Sequence, residues 1–88
     1  MKGECHICHR YGYVERHHVF GGANRNLSEK YDIVYTLCPD CHRNGQHAVH
    51  RDWQANLALK REGEIKWMED TGLGVQDFIK VFGKNYLY

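Results

Sequence analysis

The chain has 88 residues, 42% of them hydrophobic and 26% charged, with a formal net charge of +1. A domain this small buries too little apolar surface to rest on its core alone, so a covalent or metal staple is expected. The near-neutral balance neither announces nor excludes a nucleic-acid partner, and no apolar run reaches membrane-spanning length.

Met1-Lys2-Gly3-Glu4 leads into Cys5 without the apolar segment of a secretory leader. The expectation is a cytoplasmic protein with no membrane association, whose reduced thiols favour metal over disulfide. All four cysteines and all seven histidines fall within the first 50 residues. Through Arg51 there are seven Lys or Arg against five acids, and from Asp52 onward five against six. Chemistry and scaffold are therefore segregated within one domain, 1–88: residues 1–51 carry the chemistry and 52–88 form a helical extension.

In chain order, Glu4 to Gly12 has the form of a zinc knuckle, a tight turn directing Cys5 and Cys8 at one ion. Tyr13 to Phe20 reads as a strand, with Tyr13, Glu15, His17 and Val19 on one face and Val14, Arg16, His18 and Phe20 on the other. Adjacent strand residues face opposite ways, so His17 and His18 are suited to different jobs. Gly21 to Asn26 is a turn-rich, solvent-facing loop by composition. Ile33 to Leu37, rich in β-branched residues, is a second strand, making a hairpin with the first. Cys38-Pro39-Asp40-Cys41 repeats the knuckle.

The segment His42 to His50 begins helically and is interrupted at Asn44-Gly45. From Asp52, an N-cap, a helix runs to Asp70 with Trp53, Leu57, Ile65 and Met68 on its apolar face, weakened by Gly63 and ended by Gly72 and Gly74. Val75 to Phe82 is a short amphipathic helix with Val75, Phe78, Ile79 and Phe82 on one side and a stop at Gly83. Trp53 and Trp67 read as helix-packing residues in preference to base-stacking platforms, and His6 and His9 as exposed turn residues.

Two Cys-x-x-Cys pairs with 29 residues between them supply the ligand set of a structural Zn²⁺ site at Cys5, Cys8, Cys38 and Cys41. Unligated cysteine and an iron-sulfur cluster are the rival readings. A closed four-cysteine site has no open position for catalysis, so its role is to pin the strands. The histidines remain. His17 from the hairpin, with His42 and His50 from beyond the second knuckle, would leave open coordination positions, as catalytic metals require. His47 is the alternative third ligand.

The series Cys5-x-x-Cys8, Arg16-His17-His18-Val19, Leu37-Cys38-Pro39-Asp40-Cys41-His42 and Val49-His50 resembles the zinc-containing branch of the HNH endonucleases. The wider run His17-His18-Val19-Phe20-Gly21-Gly22 with Leu27-Ser28-Glu29-Lys30-Tyr31 resembles small HNH proteins of bacteriophages. The resemblance covers about residues 5 to 51, with a weaker echo in the tail. It implies an α+β fold with a zinc-stapled ββα-metal (His-Me finger) core, a β-hairpin plus helix, followed by C-terminal helices.

It also implies a bacterial or phage-encoded, metal-dependent endonuclease that nicks or cuts DNA, leaving 5′-phosphate and 3′-hydroxyl ends. His18 falls at the general base, and His17, His42 and His50 (or His47) at the ligands of a catalytic Mg²⁺, Mn²⁺, Ni²⁺ or Zn²⁺. Arg16, Arg25, Lys30, Arg43 and Arg51 are candidate phosphate contacts, each also readable as a solvated surface charge. The small surface points to relaxed specificity or to help from a homodimer or from a phage packaging or recombination protein. The family's middle Asn has no clear match; Asp32, Asn24 and Asn26 are the candidates for its place. The opposing reading is a non-catalytic zinc module that binds nucleic acid or protein; a third is a histidine-rich metal-responsive regulator.

Overall fold

A computed structural model describes all 88 residues as an α+β protein with two antiparallel hairpins and three α-helices. Strands β1 (Lys2–Glu4) and β2 (Tyr11–Tyr13) pair with Lys2 opposite Tyr13 and Glu4 opposite Tyr11. Strands β3 (Glu15–His18) and β4 (Val34–Leu37) pair with Glu15 opposite Leu37 and His18 opposite Val34. The strand expected over Tyr13 to Phe20 is thus two strands serving two partners in succession. They are divided at buried Val14, whose N–H still donates to Met1 O at 2.9 Å before Glu15 turns to β4. The expected alternation also ends at His18, since Val19 and Phe20 are both buried.

The Gly21 to Asn26 loop is more ordered than its composition suggested. A 3₁₀ turn (Gly22–Asn24) leads into helix α1 (Arg25–Lys30). Buried Ser28 explains the order: its Oγ accepts from Phe20 N at 3.0 Å and donates to Phe20 O at 2.7 Å. Those two bonds satisfy the backbone where the strand stops and clamp α1 against it. Asn24 Nδ2 donates to Phe82 O at 2.9 Å, tying the same segment to the C-terminal helix.

Helix α2 (Trp53–Thr71) begins where expected: Asp52 Oδ1 accepts from Gln54 N at 2.9 Å and Ala55 N at 3.4 Å. It ends at Gly72, whose φ of 73° is the left-handed conformation that glycine adopts without penalty. Its buried face differs from the expected one. Leu59, Gly63, Glu64 and Trp67 are buried, whereas Trp53 is 70% exposed and Ile65 44% exposed. Leu59, Gly63 and Trp67 form a single stripe spaced four apart, and the glycine lets the helix approach the hairpin. A Cβ at position 63 would lie 2.9 Å from Ile33 Cγ2, 3.1 Å from Val19 Cγ1 and 3.2 Å from Phe20 Cε2. The residue that weakened the helix in the sequence is the one that lets it dock.

Helix α3 (Val75–Phe82) buries Phe78 and Phe82, whose rings stack at 4.4 Å. Trp67 meets them edge-on at 5.5 and 5.9 Å, and Phe20 reaches Phe82 at 4.9 Å. Trp67 is the packing residue that the sequence suggested; Trp53 is not. One core therefore joins Val19, Phe20, Ile33 and Leu37 to Leu59, Trp67, Phe78 and Phe82. No helix is long and apolar enough to cross a membrane.

Candidate metal centres

The four sulfurs converge because the two hairpins are stitched together. Thr36 on β4 donates from Oγ1 to Glu4 O at 2.8 Å and accepts from His6 N at 2.8 Å. This sets the Cys5–Cys8 turn beside the end of β4, where Cys38 begins the second turn. His6 stacks on Tyr35 at 3.9 Å, and its Nε2 meets Glu62 at 2.6 Å, which fastens the turn to α2. His9, at φ 65°, only closes the turn and pairs with exposed Glu4.

Cys5, Cys8, Cys38 and Cys41 place their ligand atoms within 4.8 Å of one another. All four are free of disulfides, and Cys8 Sγ lies 3.7 Å from Cys38 Sγ. A tetrahedral ion with Zn–S bonds of ~2.3 Å sets its sulfurs about 3.8 Å apart, so the spacing fits. Ionisation fits as well. Arg10, donating from Nε at 3.5 Å, holds the Cys8 thiol down to about 6. Burial raises Cys5, but backbone N–H groups of Cys38, Cys8 and Ile7 outweigh it and lower the thiol overall. Burial and the three neighbouring cysteines push Cys41 up instead. Four crowded sulfurs cannot all ionise without a cation among them; the cluster can hold a metal ion such as Zn²⁺.

A second cluster lies next in the chain. His17, His42 and His50 also place their ligand atoms within 4.8 Å of one another. His17 projects from β3 and is buried; its ring stands 5.2 Å from those of both His42 and His50. His42 lies in the single wide turn Asp40–Asn44, after which the backbone doubles back. Val49 N donates to Cys41 O at 2.9 Å and His50 N to His42 O at 3.1 Å, so His50 returns over His42 without a continuous helix. His47 lies elsewhere: 79% exposed, with Nδ1 3.1 Å from Asp52.

Glu15 prepares this cluster. Its Oε1 lies 2.8 Å from His42 Nδ1, and Arg43 donates to both its oxygens at 3.0 and 2.6 Å. Arg43, then His42, lower the Glu15 carboxyl to about 2. A carboxylate only accepts, so His42 carries its proton on Nδ1 and presents the Nε2 lone pair inward. His50 Nε2 faces that atom at 2.9 Å. Burial, then His42 and His50, pull His17 down to about 4, which keeps it neutral and able to ligate. Burial and His42 lower His50 in the same direction. Three imidazoles with their ligand atoms gathered in this way are a donor set for a divalent transition ion.

His18 is held apart from this set. Its Nε2 lies 2.7 Å from Glu29 Oε1, and Arg16 Nη2 donates to both oxygens of Glu29 at 2.9 and 3.0 Å. His18, then Arg16, lower the Glu29 carboxyl. None of the residues proposed for the missing Asn takes this place. Asn24 is bonded to Phe82 O, Asp32 occupies a positive-φ turn at 57°, and Asn26 has no bond to His18. Sequence reasoning missed Glu29 and Glu15, because each becomes a partner only through tertiary pairing.

The basic candidates divide. Arg16 and Arg43 are exposed but ion-paired with Glu29 and Glu15, and Arg51 Nη1 donates to Asn44 O at 2.9 Å. Lys30 lies 5.2 Å from the Tyr31 ring centre, and Arg25, the first residue of α1, is exposed. The chain matches no known family model, no curated protein and no solved structure.

Proposed function

We propose that the protein is a metal-dependent endonuclease of HNH type that hydrolyses DNA phosphodiester bonds. The observation that carries the proposal is a division of labour among histidines. His17, His42 and His50 converge on one point, while the neighbouring His18 is oriented separately by Glu29. A module stabilised by its four cysteines alone has no use for that second arrangement. In this reading, β3 and β4 are the hairpin of a ββα-metal core, and its helix is shortened to the single turn Asp40–Asn44.

Glu29, an acceptor, fixes the His18 proton on Nε2 and leaves the Nδ1 lone pair to take a proton from the attacking water. The imidazolium so formed is stabilised by the Glu29 carboxylate. His17, His42 and His50 would hold a divalent Mg²⁺, Mn²⁺, Ni²⁺ or Zn²⁺, which supplies charge neutralisation at the phosphate and at the departing 3′ oxygen. Glu15 keeps the His42 lone pair aimed at that position. Arg25 and Lys30, on the helix that also carries Glu29, together with Arg51, are the candidate cations left outside ion pairs for the flanking phosphates.

Supercoiled plasmid incubated with each ion tests the proposal. The wild type nicks or linearises it, and His18→Ala lowers the rate by about a hundredfold or more, in the range of a lost general base. In a metal titration of the same proteins, His17→Ala weakens binding, whereas His18→Ala leaves it intact. Equal cleavage by wild type and His18→Ala rules out His18 as the base. No cleavage by the folded, metal-loaded wild type favours the non-catalytic module.

A further inference from the structure

Beside the three-histidine cluster lies a cleft of about 580 Å³ formed by the start of α2 and the segment after α3. It shares His50 with the cluster and is lined, among others, by Trp53, Lys60, Lys84 and Tyr86. Three observations set it apart from ordinary surface. Trp53 is 70% exposed although it stands at the first turn of the longest helix, where its ring covers no core. Lys60 is half buried and donates to Val19 O at 2.7 Å, which fixes its ammonium beside the rings of Phe20 and Tyr86, 5.5 and 5.7 Å from their centres. Lys84 stands over the same Tyr86 ring at 5.5 Å.

Burial, then the charge of Lys84, lowers the Lys60 ammonium, so the two cations repel across the cleft. The acid that lines it, Asp52, gives Oδ1 to the helix cap and Oδ2 to His47. Neither lysine has a carboxylate partner within the protein. Two ammonium groups that share the Tyr86 ring, in one cleft with an exposed indole, are complementary to a phosphate and a base joined in one ligand.

We propose that this cleft is a nucleotide subsite, which takes an unpaired nucleotide next to the cleaved phosphate, its base on Trp53 and its phosphate between Lys60 and Lys84. The proposal rests on the nuclease reading for its position beside the reacting phosphate. It adds a substrate preference. A base can lie on the indole only when it has left its stack, so single-stranded DNA and frayed or branched ends are favoured over continuous duplex.

The test measures binding of a short fluorescent single strand and of the matching blunt duplex to folded His18→Ala protein, which cannot turn them over. Added to that background, Trp53→Ala weakens the single strand about tenfold, within the range for loss of one base stack, and leaves the duplex nearly unchanged. Trp53→Phe keeps most of the affinity, because a smaller ring still stacks. Lys84→Met reduces the slope of log affinity against log salt by about 0.7, the value for one phosphate on a single strand. Unchanged single-strand affinity in Trp53→Ala overturns the subsite. So does an equal loss for single strand, duplex and heparin, which marks a general polyanion patch. The two readings fail separately. His18-dependent plasmid cleavage with unaltered Trp53→Ala binding removes only the subsite, and Trp53-dependent binding by a wild type that never cleaves removes only the nuclease.

Discussion

The pairing of His18 with Glu29 and of His42 with Glu15 shows the same device used twice: a carboxylate selects which nitrogen of an imidazole carries the proton. A third carboxylate is placed differently. Glu64 is fully buried on α2; its Oε1 accepts from Tyr86 N at 2.8 Å, and its Oε2 has no protein partner. Burial raises its pKa, with the Tyr86 N–H opposing. The folded protein therefore holds this proton to higher pH than the unfolded chain, whose carboxyl titrates near ~4.3. The stability contributed by protonated Glu64 is complete below that value and is lost as pH rises through the raised folded pKa. Glu15, Glu29 and Asp52, with lowered values, contribute in the opposite direction. Comparison with Glu64→Gln isolates the one group, since the others are common to both proteins. Melting temperatures of the two proteins should lie close at pH 4, and the variant should gain on the wild type toward pH 7. A wild type that gains on the variant over that range would show Glu64 to be stabilising as a carboxylate.

At the scale of elements, the same α2 shows where sequence patterns succeed and where they stop. Its ends were legible, because Asp52 and Gly72 act through bonds and dihedrals within a few residues of themselves. Strand β4 and helix α3 were legible for the same reason. The buried face of α2 was not, because Gly63 reads as a helix weakener until the hairpin lies against it. The β1–β2 pair and α1 were missed for a different reason; both are short and are fixed by bonds to another segment, as Ser28 is by its bonds to Phe20. The cysteine site was legible from spacing. The three-histidine cluster was legible in its members but left His47 and His50 open, since only the fold back onto Cys41 and His42 separates them. Gly63→Ala weighs the two readings of that glycine. Alanine gains up to ~1 kcal/mol of helix propensity, whereas overpacking a filled core costs about 1–3 kcal/mol. The contacts are with three buried, β-branched or aromatic side chains, which have little room to give. The clash wins, and a net loss near 1 kcal/mol lowers Tm by roughly 4–8 °C. A higher Tm for the alanine variant would mean that α2 does not approach the hairpin this closely.

At the scale of the molecule, one core of ten buried residues must hold two hairpins and three helices together. The cysteines lie in or against that core, joining the β1–β2 turn to the end of β4 and the turn that carries His42. Domains of this class are stable by about 5–15 kcal/mol, and a structural zinc site contributes an apparent ~10–16 kcal/mol in small peptides. A Zn²⁺ ion held by the four cysteines would thus be comparable to the entire net stability. Chelation should therefore abolish the cooperative melting transition and most of the secondary structure seen by circular dichroism, with recovery on adding Zn²⁺. Two proteins separate the centres. His17→Ala, altered only in the histidine cluster, should remain folded in Zn²⁺ and still unfold on chelation. Cys38→Ser should be unfolded, or should melt far below the wild type, at the same Zn²⁺ concentration. A chelated wild type that keeps its transition would mean that the hairpins hold the histidines in place without a metal between the sulfurs.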